Sequence, residues 1–381
     1  IENSYEAINV HHSSRIFYGQ NITNSTDCYF SYNLSGCINC FGCVNLRNKS
    51  NHWFNEPISR EEFEKRLSLV FGSYNTIEEV KGKYEEFRIK FPHRENNNIK
   101  TQDCIGDYLS ECKNVHNSLE VTKGENCKDL FSSKEIKDSR GVFGYGIGAE
   151  YLLETVSTGH SSNVIGSYAI DQSMDIQYSF SCFPSNKYLI GCDGLKNSEY
   201  CILNKQYSKE EYEKLKEHII KELIDLGAYG LMMPPELSPF AYNETIGQDN
   251  MPLTKEEAAA QGFRWEDDNK KTEGKETLKP EQIPDHIKDV SDAITKEVLA
   301  CVGCNRNYRI TEAELLFYRK MILPIPRKCF YCRHKNRIER RGPYKFWDRH
   351  CAKCNKDIVT NYAPNRPEIV YCEKCYQQEV Y

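Results

Sequence analysis

A chain of 381 residues with 39% hydrophobic and 28% charged residues has room for two or three domains, and no run of about 18 apolar residues is present to cross a bilayer as a helix. The net charge of −5 is uneven: seventeen basic and eight acidic residues give 301–381 about +9, which leaves about −14 for 1–300. That asymmetry predicts an anionic partner for the C-terminal part, and with no apolar span no membrane partner is expected. Eight of the eighteen cysteines fall into four CxxC pairs, and thiols so close together grip a metal more readily than they bond to each other. A reducing, cytoplasmic setting is therefore expected. The chain opens at Ile1 with no charged-then-apolar leader, so its start is expected to be processed or incomplete.

The first sixty residues divide into five twelves without a gap, IENSYEAINVHH, SSRIFYGQNITN, STDCYFSYNLSG, CINCFGCVNLRN and KSNHWFNEPISR. The fifth column is Tyr5, Phe17, Tyr29, Phe41 and Trp53; the tenth is Val10, Ile22, Leu34, Leu46 and Ile58. The ninth reads Asn9, Asn21, Asn33, Asn45 and Pro57, all turn formers. A looser version runs from about 103 to 209, and 43–65 aligns with 192–214 at a constant offset of 149. Short units of β-branched and aromatic residues between turn formers predict stacked strands rather than helix pairs. The expected fold is mainly β with helices: a duplicated, helix-capped β-solenoid of 12-residue repeats, its first block in 1–100 and its second in 101–229. Inside the repeat, Cys37, Cys40 and Cys43 form CxxCxxC, and Cys28, Cys40 and His52 share the fourth column. Two readings follow, a third metal site or small apolar residues filling a narrow coil, and the second suits the pattern better.

Each block ends in a helix with a capping-box start, Ser59 with Glu62 and Ser208 with Glu211. Apolar stripes of Phe63, Leu67 and Val70, and of Tyr212, Leu215, Ile219, Leu223 and Ile224, suit helices that close open strand edges. Residues 230–297, with Met-Pro-Pro and scattered acids, read as a mostly extended linker carrying a short helix or two, one from Thr254.

Two small zinc modules are expected to follow, in 298–345 and 346–381. Cys301, Cys304, Cys329 and Cys332 supply four sulfur ligands across a 24-residue excursion, and Cys351, Cys354, Cys372 and Cys375 across a 17-residue one. Four thiolates fill a tetrahedral zinc shell and leave no place for water, so two Zn²⁺ ions with structural roles are predicted. Around the first site, Tyr308, Glu314, Phe317, Tyr318 and the run Pro326, Arg327, Lys328, Cys329, Cys332, Arg333 resemble the zinc-ribbon family with a treble-clef fold. The likeness covers about 40 residues, and Asn305 and Arg306 stand where that family has Gly-Lys. It implies zinc binding. The second site, ending in Arg366-Pro367-Glu368-Ile369-Val370-Tyr371-Cys372, resembles another short zinc ribbon, with strands at Ile358–Val359 and Ile369–Tyr371.

The positive charge gathers at Arg319, Lys320, Arg327, Lys328, Arg333, Lys335, Arg337, Arg340, Arg341, Lys345 and Arg349, with Trp347 among them. Guanidinium groups contact phosphates and rings stack on unpaired bases, so this set predicts an RNA- or DNA-binding surface with the solenoid as a protein-interaction arm. The alternative is a scaffold component of a larger assembly in which zinc is purely structural. No P-loop, GxGxxG after a strand, HExxH or GxSxG occurs, so no enzyme is expected.

Overall fold

The computed structural model describes residues 1–267 and 271–380. Eight α-helices are found among them: α1 (Arg60–Val70), α2 (Tyr74–Arg88), α3 (Lys209–Asp225), α4 (Ile246–Asn250), α5 (Lys255–Ala260), α6 (Glu312–Lys320), α7 (Phe330–Arg341) and α8 (Glu373–Val380). None is long and apolar enough to cross a membrane.

Strands dominate the first 206 residues. In the first block, Ser14–Phe17, Thr26–Tyr29, Ile38–Phe41 and Ser50–Trp53 make one parallel ladder, and Ile8–His11, Gln20–Thr23 and Tyr32–Ser35 make another. Ile16 lies beside Cys28, Cys28 beside Cys40 and Cys40 beside His52. The chain thus returns to the same ladder twelve residues on, having visited the other sheet between. The arrangement is solenoid-like. The second block continues it from Ile105–Ser110 to Glu199–Ile202, with partners slipping to thirteen apart at Arg140 and Leu153 and at Met174 and Lys187.

So narrow a coil must turn constantly. The ninth-column residues Asn9, Asn21, Asn33 and Asn45 have φ of 49°, 56°, 55° and 60°, a left-handed conformation that asparagine tolerates. Their amides stack as well: Asn33 Nδ2 donates to Asn45 Oδ1 at 2.9 Å. Little room remains inside, and Ile16, Ile22, Cys28, Leu34, Cys37, Cys40 and Cys43 fill it. Where a coil would leave a backbone N–H unpaired, a buried serine accepts from it: Ser25 N donates to Ser13 Oγ, Cys37 N to Ser25 Oγ and Cys43 N to Ser31 Oγ.

The fifth column is an outward-facing aromatic ladder, closed by Phe41 flat on Trp53 at 3.9 Å between ring centres. Ser59 caps α1, whose Phe63 meets Trp53 edge-on, and Phe71 beyond it contacts Phe17 and Tyr29. The α2 helix, which the repeat gave no reason to expect, lays Tyr84 and Phe87 against Phe30 and Phe54. At the far end, Ser208 caps α3, and Tyr212 packs on the stacked pair Tyr188 and Tyr200.

The 230–297 segment carries α4, α5 and several short 3₁₀ turns; its residues 268–270 lie outside the described part. Ile283, Ile287, Val290 and Ile294 from its end are buried in one core with Phe17, Tyr29 and Ile77 of the first block and with Leu299, Ile310, Leu315, Tyr318 and Leu323. The two cysteine-rich modules therefore pack back onto the first block. A short parallel pair seals the contact, Ile369–Tyr371 beside Pro92–Arg94.

Candidate metal centres

Each cluster is assembled by two knuckles. In the first, Cys301 and Cys304 follow the strand Leu299–Ala300, while Cys329 is the N-cap of α7 and Cys332 lies in its first turn. The four sulfur atoms lie within 4.8 Å of one another, with Cys304 Sγ and Cys329 Sγ 3.8 Å apart. Asn305, where the resembled family has glycine, has φ of 58°, so asparagine serves the same left-handed turn. The second cluster repeats the plan. Cys351, Cys354, Cys372 and Cys375 also converge within 4.8 Å, Asn355 has φ of 60°, and Cys375 lies at the start of α8.

Both cages are prepared for negative sulfur. Burial alone would raise the thiol of Cys301, but hydrogen bonds from the backbone N–H groups of Cys329, Gly303 and Cys304 outweigh it and bring the value down to about 7. At Cys351 burial is likewise outweighed by the N–H groups of Cys354, Cys372 and Lys353, to about 6. Burial and neighbouring sulfur push Cys329, Cys332, Cys372 and Cys375 the other way, Cys375 to about 12. Cys301 and Cys351 thus favour the thiolate, while the four raised thiols would need a cation beside them to ionise. A metal ion held by the four sulfurs would supply that charge, and zinc is one that suits an all-sulfur tetrahedral shell.

Among the described residues, the CxxCxxC column forms no comparable cluster. Cys28, Cys37, Cys40 and Cys43 are buried and their thiols donate to backbone carbonyls, Cys28 to Cys37 O and Cys43 to Phe41 O. The His52 ring turns to the carbonyl of Ser50 at 2.9 Å. Filling of a narrow coil is the reading these contacts support.

The basic residues are brought together, but much of the set faces inward. Arg333 reaches Tyr5 Oη at 3.1 Å and lies over its ring, and Arg337 pairs with Glu6 at 2.8 Å. Arg327 is 7% exposed and donates to Ile283 O, while Arg319 pairs with Asp292 at 2.6 Å. Arg341 donates to Asn250 Oδ1, Arg340 to Tyr18 O, Lys320 to Asn3 Oδ1 and Arg349 to Ala363 O. Lys335 stands outward beside Glu339, Lys345 lies over the Trp347 ring, and Lys328 is half-buried. In this region Tyr344 also bridges to the second block, flat on Phe131 and donating to Glu120 at 2.8 Å.

Three features were not apparent in the sequence. Glu368, 3% exposed, accepts from Arg366 at 2.6 Å and pairs with Arg88 of α2 at 3.5 Å. His93 is fully buried between Arg88 and the Tyr32 ring. Because Arg88 can only donate and Phe91 O can only accept, Nε2 of His93 is the acceptor and Nδ1 carries the proton. Burial and the Arg88 charge lower this imidazole from 6.5 to about 3. The ring is expected to stay neutral at pH 5, read from its NMR shifts, and its contribution to stability is present above pH 6.5 and lost as pH falls through about 3. The third feature is an aromatic pair on the first knuckle, Phe330 and Tyr331, each 60% exposed, with the Arg306 guanidinium 4.3 Å from the Tyr331 ring centre.

No protein-family model and no curated protein sequence matches the chain. Solved structures with some likeness include a protein assigned as an acetyltransferase from Desulfovibrio desulfuricans, at 11% identity over 58% of this chain and 61% of that one, with a TM-score of 0.10. A UDP-N-acetylglucosamine O-acyltransferase from Moraxella catarrhalis is 12% identical over 59% of this chain and 91% of its own, with a TM-score of 0.11. The chain spans about three fifths of the first. Scores this low carry no argument about fold or activity.

Proposed function

We propose that this is a non-enzymatic zinc protein that works as a rigid assembly component, its two metal modules clamping the tail of the chain onto the first solenoid block. The observation that carries this reading is the inward use of the basic stretch: Arg333 and Arg337 engage Tyr5 and Glu6, and Arg319 and Arg327 tie down the preceding segment. Cations already holding carboxylates and carbonyls are not offered to a phosphate backbone without breaking those bonds. The metals are closed to substrate by four sulfurs each, which suits a structural role. In the test, replacing Glu6 with Gln and Arg337 with Ala should each lower the melting temperature and open the 312–341 region to protease, with both zinc ions retained. Unchanged protection in both variants would remove the clamp.

The exposed pair Phe330 and Tyr331 beside Arg306 favours a second, narrower reading, in which single-stranded nucleic acid stacks on the first knuckle. Base–aromatic stacking of this kind is worth about 1–3 kcal/mol per base. The 381-residue chain should then bind an RNA oligonucleotide with an affinity that falls steeply with salt. Substituting both rings with Ala should weaken it about tenfold or more, while the melting temperature holds. Affinity indifferent to the two rings eliminates this surface.

A further inference from the structure

A cavity of about 550 Å³ lies where the first block, α2, α7 and the tip of the second metal module meet. That volume falls within the range of about 300–1,000 Å³ of small-molecule sites. Its floor is aromatic, with Tyr18 stacked on Phe30 at 4.7 Å between ring centres.

The charges around it do not cancel. Each carboxylate on the wall already has a cation: Glu6 has Arg337, Glu78 has Lys81, Glu85 has Arg88, Glu339 has Lys335 and Glu368 has Arg366. Three cations on the same wall, Arg327, Lys328 and Arg340, form no ion pair among the described residues. Four buried polar atoms of the wall lack a hydrogen-bond partner: the Tyr84 hydroxyl, Arg327 Nη1, Arg333 Nε and Glu6 Oε1. Two are obligate donors and the hydroxyl can donate, while the one acceptor, Glu6 Oε1, faces Arg333 at 4.0 Å. Leaving a buried donor unmatched is costly, so such groups gathered at one cavity point to an acceptor that completes them.

From these observations we infer that the cavity binds a small anion carrying a flat ring, of the nucleoside monophosphate class. The phosphoryl group would take Arg327 Nη1, which has no partner while Nη2 holds Ile283 O and Pro284 O, together with the Arg340 and Lys328 head groups, which hold no carboxylate, so that no ion pair is broken to receive it. The ring would lie against the Tyr18 side of the floor, with Phe30 backing Tyr18 from beneath and presenting no surface of its own. This inference goes beyond the clamp reading and is separable from it, because a clamped assembly component needs no ligand.

The test uses the full zinc-loaded chain, with adenosine monophosphate, adenosine and inorganic phosphate as probes in calorimetric titration and thermal shift. Saturable binding of the monophosphate is expected, at least tenfold tighter than that of either fragment. Tyr84→Phe removes a hydroxyl that has no partner, so the unliganded melting temperature should hold while affinity drops about three- to tenfold. Arg340→Gln should weaken the monophosphate and leave adenosine unaffected. Inorganic phosphate binding as tightly as the monophosphate would overturn the ring contact. Failure of the monophosphate to bind at millimolar concentration, or wild-type affinity in both variants, would overturn the site.

Discussion

Cys329→Ser is expected to lower the zinc content from two ions to one and to undo the docking of the C-terminal third. Cys329 caps α7, supplies one sulfur of the first cage, and its backbone N–H donates to Cys301 Sγ at 3.2 Å. Loss of one ligand opens the shell, and structural zinc in small modules carries about 10–16 kcal/mol of apparent binding energy that is also folding energy. The effect should spread. The same helix presents Arg333 and Arg337 to Tyr5 and Glu6, and α6, inside the excursion, carries Leu315 and Tyr318 into the shared core. Elemental analysis and thermal melting of the purified variant check this, with Cys40→Ala as the control that should keep both ions. An unchanged metal count in Cys329→Ser, or a third ion lost in Cys40→Ala, would contradict the assignment.

Glu368→Gln is expected to destabilise the protein by about 3–5 kcal/mol, the range for breaking a buried pair by removing one partner. The carboxylate is almost wholly buried and faces two guanidinium groups, Arg366 at 2.6 Å and Arg88 at 3.5 Å. Burial by itself would raise its proton affinity, but the Arg366 hydrogen bond and the charges of Arg366 and Arg88 outweigh that and hold it at about 2, below the usual 4.5. A carboxylate lowered in this way adds stability above pH 4.5 that disappears as the pH falls through about 2. The neutral amide removes that pH-dependent part. Denaturant titrations at pH 7 and pH 3 should therefore differ more for the unaltered protein than for the variant; equal differences would show that the pair contributes little.

The features legible in the sequence share one property, which is that they repeat or cluster over short distances. The fifth and ninth columns recur every twelve residues, so Phe41 on Trp53 and the Asn33–Asn45 amide ladder follow from the alignment once the strands are stacked. The CxxC knuckles, likewise, declare four ligands from two pairs. What stayed hidden depends on partners far apart in the chain. The inward turn of Arg333 and Arg337 is decided by Tyr5 and Glu6, more than 300 positions away, and charge counting treats such cations as free. The aromatic positions Tyr84 and Phe87 of α2 match the outer ladder only after the coil has put Phe30 and Phe54 on one face. The CxxCxxC run shows why spacing alone left two readings open there: it matches a metal motif, while the pleat of the coil aims each thiol at a carbonyl, in keeping with the preferred reading of coil filling.

The parallel pairing of Ile369–Tyr371 with Pro92–Arg94 sets an order of events during synthesis. Coils that contact only their neighbours can form as they leave the ribosome, but this ladder must wait until residues 369–371 have emerged. Until then the Pro92–Arg94 edge stands bare to solvent, offering an unpaired strand to any chain nearby. The Ile369–Tyr371 strand would thus act as the latch that ends a vulnerable interval, and ribosomes stalled shortly before residue 369 should hold a nascent chain unusually prone to association.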